Sequence, residues 1–160
     1  MHEKVRSILE KSEVSFIVHH HSALPVPIHS PMDFAAAIGY DLGRITKTVF
    51  LKAKDGSKYA MVCGAINERF DLQHIAALIN VKKIEQASVD DLLRITGYPP
   101  NGVSPIGLPA EITLIVDEGL LSLPTVLVGG GNTGVEVEIA PADLIGITGA
   151  LVAGVTRQQS

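Results

Sequence analysis

The last third of the chain contains three short strand-like segments that no helix separates, and this arrangement restricts the folds open to it. The segments cover residues 111–117, 125–129 and 135–139. Consecutive parallel strands need a long crossover, usually a helix, whereas antiparallel strands can follow one another through tight turns. The pattern therefore predicts a mixed or antiparallel sheet and disfavours a doubly wound parallel one.

A glycine-rich segment joins the last two of these strands and imitates a nucleotide-binding motif. Gly129, Gly131 and Gly134 match G-x-G-x-x-G, which in dinucleotide-binding folds precedes a helix that holds the pyrophosphate. Here, residues 135–139 alternate apolar and acidic side chains, as in a strand with one face in water. The segment is therefore predicted to be a hairpin whose glycines let another group come close.

Helix and strand signals alternate through the rest of the chain. Residues 44–53 and 57–66 are rich in β-formers and flank Lys54-Asp55-Gly56, which predicts a hairpin. Helices are predicted after N-caps at Ser30, Asp71 and Ser88. The side chains expected to point inward from the last two helices include Leu72, Ile75, Val89, Leu92, Leu93 and Thr96. With no repeat and no linker, residues 1–160 are predicted to form a single domain.

Composition narrows the class of protein. The chain is 46% hydrophobic and 19% charged, with one cysteine, Cys63. It has no apolar run of the roughly 18 residues that a membrane span needs, and its N-terminus lacks the apolar segment of a signal peptide. These features predict a globular cytoplasmic protein that has no membrane partner. In the apolar run around Cys63, a buried structural thiol is expected.

Charge is distributed unevenly along the chain. The net charge is −4, yet 12 of the 13 Lys and Arg residues precede residue 100, and only Arg157 follows it. A negative net charge argues against a broad surface that coats nucleic acid, so DNA is not an expected partner. A polyanion is expected to contact the N-terminal part of the chain through few phosphates.

Two segments are candidates for chemistry. On a strand, Lys47 shares its face with Ile45 and Val49, so it is expected to project toward a core or a cleft; an edge lysine that prevents aggregation, or a snorkelling one, is the alternative. The loop of residues 97–107 carries three prolines and three glycines. It can present backbone N–H groups to a ligand, or it can simply be a rigid connection.

The histidine run at residues 19–21 suggests a metal site. In a strand, only His19 and His21 share a face, and no cysteine or H-x-x-x-H helix supplies further ligands. A histidine that lines a polar cleft is the preferred interpretation. A zinc hydrolase stays open as an alternative, and it predicts zinc in the purified protein.

Together, Lys47, the TGY…GVSPIG loop and the GGG-x-x-G-x-E hairpin followed by APADL resemble the YbaK family. This family is related to the editing domain inserted in bacterial prolyl-tRNA synthetases, and the resemblance spans about residues 4–155. It implies an α/β (α+β) fold with a curved, mixed, mostly antiparallel sheet flanked by helices. It also implies trans-editing hydrolysis of a mischarged aminoacyl-tRNA, in particular Cys- or Ala-tRNA for proline.

The resemblance also assigns residues and partners. It implies a catalytic group of Lys47, Gly102 and Ser104, with no metal and no cofactor. The implied substrate-binding residues are His21, Asn101, Val103, Pro105, Gly130, Gly131 and Glu136. The implied partners are the acceptor end of a mischarged tRNA and an aminoacyl-tRNA synthetase. A non-catalytic module that binds either partner is the alternative from a different functional class.

The chain departs from the family pattern at three places. Asn101 replaces the first of two loop glycines, and its side chain is expected to narrow the pocket. Asn132-Thr133 stands where family hairpins often carry Lys-Arg; if that pair contacts the tRNA in the family, this chain is expected to bind tRNA more weakly or elsewhere. His21 stands where close relatives have tyrosine.

For the mechanism, we expect Lys47 to stay protonated and the N–H groups of residues 102–104 to stabilise the oxyanion or position water. A hydroxyl of the tRNA terminus would assist proton transfer. Glu136 is a candidate for the cleft, although its alternation with Glu138 suggests a solvated strand face.

Overall fold

The computed structural model describes residues 1–158. Five α-helices lie within this range: α1 (Glu3–Ser12), α2 (Pro31–Ile38), α3 (Leu72–Leu78), α4 (Val89–Thr96) and α5 (Pro141–Thr148). Ten strands lie within it as well: β1 (Phe16–His20), β2 (Thr46–Ala53), β3 (Tyr59–Ala65), β4 (Glu68–Phe70), β5 (Ile84–Gln86), β6 (Thr113–Asp117), β7 (Val126–Gly129), β8 (Val135–Ile139), β9 (Leu151–Ala153) and β10 (Thr156–Gln158).

The strands form a mixed and mostly antiparallel arrangement. Five of them run in the order β5-β2-β3-β6-β9, with parallel pairs only at β3–β6 and β6–β9 among the described strands. A three-stranded sheet, β1-β8-β7, and a ribbon, β10-β4, are antiparallel throughout. A bridge between Ile45 and Leu127 joins the start of β2 to β7, and the hydroxyl of Thr46 donates to the carbonyl of Leu127. The predicted fold class is confirmed.

The local sequence signals predicted the positions of these helices correctly, but some of the side chains predicted to point inward do not. Ser30, Asp71 and Ser88 each accept a backbone N–H as N-caps of α2, α3 and α4. Three side chains that were predicted to point inward, Leu72, Val89 and Leu93, are 41–52% exposed. Each of these helices is at most eight residues long, so only a narrow stripe reaches the sheet and the flanking apolar side chains stay in water.

Apolar side chains cover both faces of the five-stranded sheet. Met61 and Cys63 of β3 point toward α1 and the β7–β8 hairpin, and Val62 points toward α3; all three are fully buried. No helix within residues 1–158 combines the length and hydropathy needed to cross a membrane. The core thus holds the start of β2 rigidly against the hairpin, where the candidate site lies.

Candidate active site

A cleft of about 640 Å³ opens where the start of β2 meets the β7–β8 hairpin. Its volume falls within the range of small-molecule sites, about 300–1,000 Å³. We call it the Lys47 cleft. It is lined by His21 and by parts of four segments, residues 28–34, 45–48, 100–103 and 129–136, together with Ile66.

Lys47 reaches this cleft from β2. Its ammonium lies 5.1 Å from the centre of the Phe70 ring, and within residues 1–158 no carboxylate is close enough to form an ion pair with it. Burial lowers the pKa of Lys47 from 10.5, while the charge of Glu68 opposes the shift. The expectation that Lys47 projects toward a cleft is confirmed, and its ammonium is available to a ligand.

The first part of the 97–107 loop forms part of the wall of the Lys47 cleft. Asn101, Gly102 and Val103 line the cleft. The N–H of Gly102 donates to the carbonyl of Pro99 at 3.0 Å, so it is not free for a substrate oxygen, whereas the N–H of Val103 has no acceptor among residues 1–158. Asn101 does not have a positive φ, so the loop does not require glycine at this position.

The second part of the loop lies behind the cleft. Ser104 is fully buried, and its hydroxyl accepts the N–H of Ile106 at 3.1 Å. Pro105 borders a second cavity of about 340 Å³ on the other side of the loop. The structure therefore does not bring Ser104 and Pro105 together with Lys47; they hold the loop from behind.

The hairpin meets the loop through two glycines. A Cβ at Gly129 would overlap the carbonyl oxygen of Val103, and one at Gly102 would lie 2.5 Å from the carbonyl carbon of Asn132. The glycine pattern predicted a close approach at this hairpin, and the structure confirms it. Gly129 was not among the predicted site residues, because spacing alone did not indicate which glycine another backbone approaches.

Gly130 and Gly131 face away from the cleft. The carbonyl of Gly130 accepts the N–H of His2 at 2.9 Å. Gly131 has φ +86°, and a Cβ there would lie 2.4 Å from the Cβ of His2 and 3.0 Å from the Tyr98 ring. Both glycines fit the hairpin against the N-terminal helix, so the structure does not place them beside the other candidate residues.

The acidic face of β8 is covered, and the prediction of a solvated face is wrong. Only 6% of Glu138 is exposed, as is 16% of the Glu136 side chain. Antiparallel pairing brings β1 alongside β8, and the Phe34 ring of α2 packs over His19 and His21. The alternation of apolar and acidic residues along β8 could not reveal that β1 and α2, which are distant in sequence, cover its acidic face.

Glu138 sits at the centre of a buried polar network. It accepts hydrogen bonds from His19 at 2.9 Å, Tyr40 at 2.9 Å and Thr125 at 2.6 Å, and Arg44 lies 3.6 Å away. Burial alone would raise the pKa of Glu138, but these bonds outweigh it and lower the pKa from 4.5. The network ties β1, β8 and the end of α2 together behind the cleft.

His21 and Glu136 form a second histidine–carboxylate pair, this one inside the cleft. His21 Nε2 lies 2.6 Å from Oε2 of Glu136. Burial raises the pKa of Glu136 from 4.5, although the hydrogen bond from His21 opposes the shift. His19 and His21, the two histidines that share a strand face, thus each contact a carboxylate, and no set of three or more candidate metal ligands converges within residues 1–158.

The cleft also contains a buried hydroxyl that the sequence did not single out. Thr48 lines the cleft, and within the described part of the chain its buried Oγ1 has no partner at hydrogen-bond geometry, although it lies near enough to the Cys63 thiol to oppose the rise of that thiol's pKa. Cys63, directly opposite on β3, is buried as expected, and burial raises the pKa of its thiol. Threonine is common in strands, so nothing in the sequence indicated that the Thr48 hydroxyl would be buried in this way.

Comparison with known proteins identifies the family of the chain. A model of the aminoacyl-tRNA editing domain matches residues 26–147. EbsC of Enterococcus faecalis, a candidate Cys-tRNA(Pro)/Cys-tRNA(Cys) deacylase, is 31% identical over 78% of this chain and 76% of its own. The proline–tRNA ligase of Thermosipho melanesiensis is 24% identical over 64% of this chain, which spans only 19% of the ligase.

The fold agrees as well. The solved structure of a candidate trans-editing enzyme for prolyl-tRNA synthetase superimposes with a TM-score of 0.80 at 24% identity, covering 98% of this chain and 99% of the other. Together with the matched family model, this confirms the resemblance that Lys47, the loop and the hairpin predicted. The chain belongs to the family of aminoacyl-tRNA editing domains.

Proposed function

We propose that this protein removes a wrongly attached amino acid from tRNA in trans, with Cys- or Ala-tRNA for proline as its substrate. The cleft carries the proposal, because two of its lining residues within the described part of the chain can bind an oxygen: Lys47, whose ammonium has no ion-pair partner, and Val103, whose N–H has no acceptor. The name of EbsC favours the cysteinyl ester. An aminoacyl-tRNA substrate is found where translation takes place, so we propose that the protein is located in the cytoplasm.

The chemistry makes few demands on side chains. An aminoacyl ester is already activated, so a positioned water and stabilisation of the developing oxyanion account for much of the rate. Lys47, when protonated, holds the carbonyl oxygen or the terminal phosphate–ribose. Val103 supplies the backbone donor, since the N–H of Gly102 already has an acceptor. The other cleft residues, His21, Asn101 and Glu136, contact the aminoacyl group.

A panel of aminoacyl esters tests the function. Cys-, Ala-, Ser- and Pro-tRNA for proline are incubated with the protein, and the remaining ester is measured over time. We expect rapid hydrolysis of one mischarged species while Pro-tRNA is spared. No hydrolysis of any species, combined with measurable binding to tRNA or to a synthetase, would instead support a non-catalytic binding module.

Thr48→Val is expected to affect the stability of the protein and its deacylation activity differently. Valine has a similar shape but lacks the hydroxyl that is buried without a partner among the described residues, so the free energy of unfolding should stay equal or rise by up to about 1 kcal/mol. If the hydroxyl binds the substrate, kcat/KM falls about tenfold, because a hydrogen bond is worth about 0.5–1.5 kcal/mol. Urea unfolding and deacylation rates are measured in parallel; a stable variant with full activity would rule out the contact.

Two arginines lie on the β4–β10 ribbon, whose Phe70 packs against Lys47. Arg69 and Arg157 lie directly opposite each other in the β4–β10 ribbon. Phe70 and Thr156 point inward against Gly64, so the two arginines point outward by alternation. Like charges in this position destabilise a ribbon, and Asp71 lies 3.8 Å from Arg157 only. We propose that they bind acceptor-end phosphates in place of the missing hairpin Lys-Arg.

The double variant Arg69→Gln/Arg157→Gln should raise KM for aminoacyl-tRNA while kcat stays unchanged. Loss of two single-strand phosphate contacts should reduce the slope of log binding constant against log salt by about 1.4. Lys82→Gln/Lys83→Gln is the matched control, because these exposed lysines adjoin Lys54, beyond the end of β2 remote from Lys47. Equal effects of the two double variants would show that only net charge matters.

A further inference from the structure

His21 is held rigidly at the rim of the Lys47 cleft. It follows β1 directly, and its backbone N–H donates to the carbonyl of Gly134 at 2.9 Å. Its ring lies 4.8 Å from the ring of Phe34, tilted by 34°. Backbone pairing on one side and an aromatic ring on the other leave the imidazole little freedom to move.

Glu136 selects which imidazole nitrogen can accept a proton. An ionised carboxylate only accepts hydrogen bonds, so with Glu136 ionised the contact of 2.6 Å has Nε2 as the donor, and Nε2 carries the hydrogen. Nδ1 then bears the lone pair, and no donor within residues 1–158 occupies it. The side chain is 29% exposed and lines the cleft, so water can reach it.

We propose that His21 is the general base of the deacylation and that Glu136 holds it in the required tautomer. The inference rests on the proposed function and deepens it, because it replaces the hydroxyl of the tRNA terminus as the proton acceptor. The arrangement has the logic of a carboxylate–histidine pair that activates a nucleophile, here a water molecule.

Two proton transfers through His21 complete the hydrolysis. Nδ1 of His21 takes a proton from water while the water oxygen bonds to the ester carbonyl carbon, and the electron pair of the carbonyl moves to its oxygen. The tetrahedral oxyanion lies against Lys47 and the N–H of Val103. Its collapse breaks the bond to the ribose oxygen, which takes the proton back from the imidazolium. The products are the free amino acid and the tRNA with its terminal hydroxyl restored.

This role predicts an acidic limb in the pH profile. Histidine is the side chain that ordinarily changes charge between about pH 5 and 8, and only its neutral form can accept a proton. The titratable groups that share the cleft with His21, or adjoin its partner, are Glu136, Lys47, His29 and His19. Of these, His19 is bonded to Glu138 behind the cleft.

The test compares wild type with His21→Gln, Glu136→Gln and His20→Gln on the mischarged tRNA that wild type hydrolyses fastest. General-base catalysis typically contributes about 10²–10⁴-fold. His21→Gln should therefore lower kcat/KM at neutral pH by that factor, and the acidic limb should disappear from its pH profile. His20 is exposed on the opposite strand face, so His20→Gln should match wild type. A His21→Gln protein with the wild-type rate and limb would overturn the proposal.

Glu136→Gln tests positioning without removing the base. Its amide can donate to Nε2 and stabilise the other tautomer, so kcat/KM should fall about tenfold or more. His21→Tyr, judged by circular dichroism to be folded, is the second variant at the base itself. Full activity in it would show that His21 is a pocket wall, which would also overturn the proposal.

Nitrogen-15 NMR of the histidine rings gives a readout without substrate. We expect His21 to carry its hydrogen on Nε2 in wild type and to shift toward Nδ1–H in Glu136→Gln. A wild-type ring with its hydrogen on Nδ1 would overturn the inference. If wild type hydrolyses no ester in the panel, the proposed function fails, and the ring tautomer still decides the His21–Glu136 pairing.

Discussion

Lys47→Ala is expected to lower kcat/KM for deacylation by at least about 10²-fold while the protein stays folded, because removing one oxyanion donor typically costs about 10²–10³ in rate. The Lys47 ammonium has no carboxylate to neutralise it among residues 1–158, so its full charge can act on a substrate oxygen. The partly buried side chain contributes little to the core, so thermal unfolding should change only slightly.

Lys52→Ala is the matched control. Lys52 lies on the same strand, but it pairs with Asp91 at 3.6 Å, outside the residues that line the cleft. Lys52→Ala should therefore keep wild-type activity, and Lys47→Arg should recover part of the activity because it retains the charge. A Lys47→Ala variant with most of its activity would show that Lys47 does not stabilise the transition state.

The pKa of Lys47 adds a second limb to the pH profile. Burial lowers this pKa from 10.5, and the protonated form is the one that stabilises an oxyanion. Activity should therefore be complete well below the pKa of Lys47 and be lost as the pH rises through it. In Lys47→Ala the loss on the alkaline side should disappear, while the acidic limb assigned to His21 should remain. The two limbs thus report on two different residues.

The fold was largely predictable, because its signals are local. Caps at Ser30, Asp71 and Ser88 mark helix starts through hydrogen bonds within a few residues, and the Lys54-Asp55-Gly56 turn joins adjacent strands. The covered face of β8 was not predictable. Glu136 and Glu138 look solvated in sequence, but β1 and the residue after it, more than 100 residues earlier, supply the histidines that pair with them.

The candidate site was predictable in part. Lys47 stood out because its apolar neighbours imply a covered face, and the resemblance supplied the loop and the hairpin. The resemblance could not distinguish the residues that line the cleft from those that support the loop and the hairpin from behind. Ser104 and Gly131 carry the same motif signal as Val103 and Gly129, yet they face the core. That distinction depends on which backbone atoms touch, and such contacts form only in the folded chain.

Gly129→Ala is expected to damage both stability and activity. A Cβ there would overlap the carbonyl oxygen of Val103, and no rotamer change can relieve a clash between backbone and Cβ. Overpacking of this kind typically costs about 1–3 kcal/mol. The loop must also move away from the hairpin, and a displacement of about 1 Å at a reacting centre can cost about 10²-fold in rate. Urea unfolding and deacylation of the preferred substrate measure the two effects.

Gly146→Ala isolates the effect of position from that of the substitution. Gly146 lies inside α5, where an added Cβ would have no atom within 4 Å and the glycine has no positive φ. Alanine there should raise the free energy of unfolding by about 0.5–1 kcal/mol, because glycine is a poor helix former, and should leave deacylation unchanged. If Gly129→Ala behaved like Gly146→Ala, the loop and the hairpin would not need their close contact. In that case Val103 would face the substrate without support from the hairpin, and the contact between the two backbones would have no role in shaping the cleft.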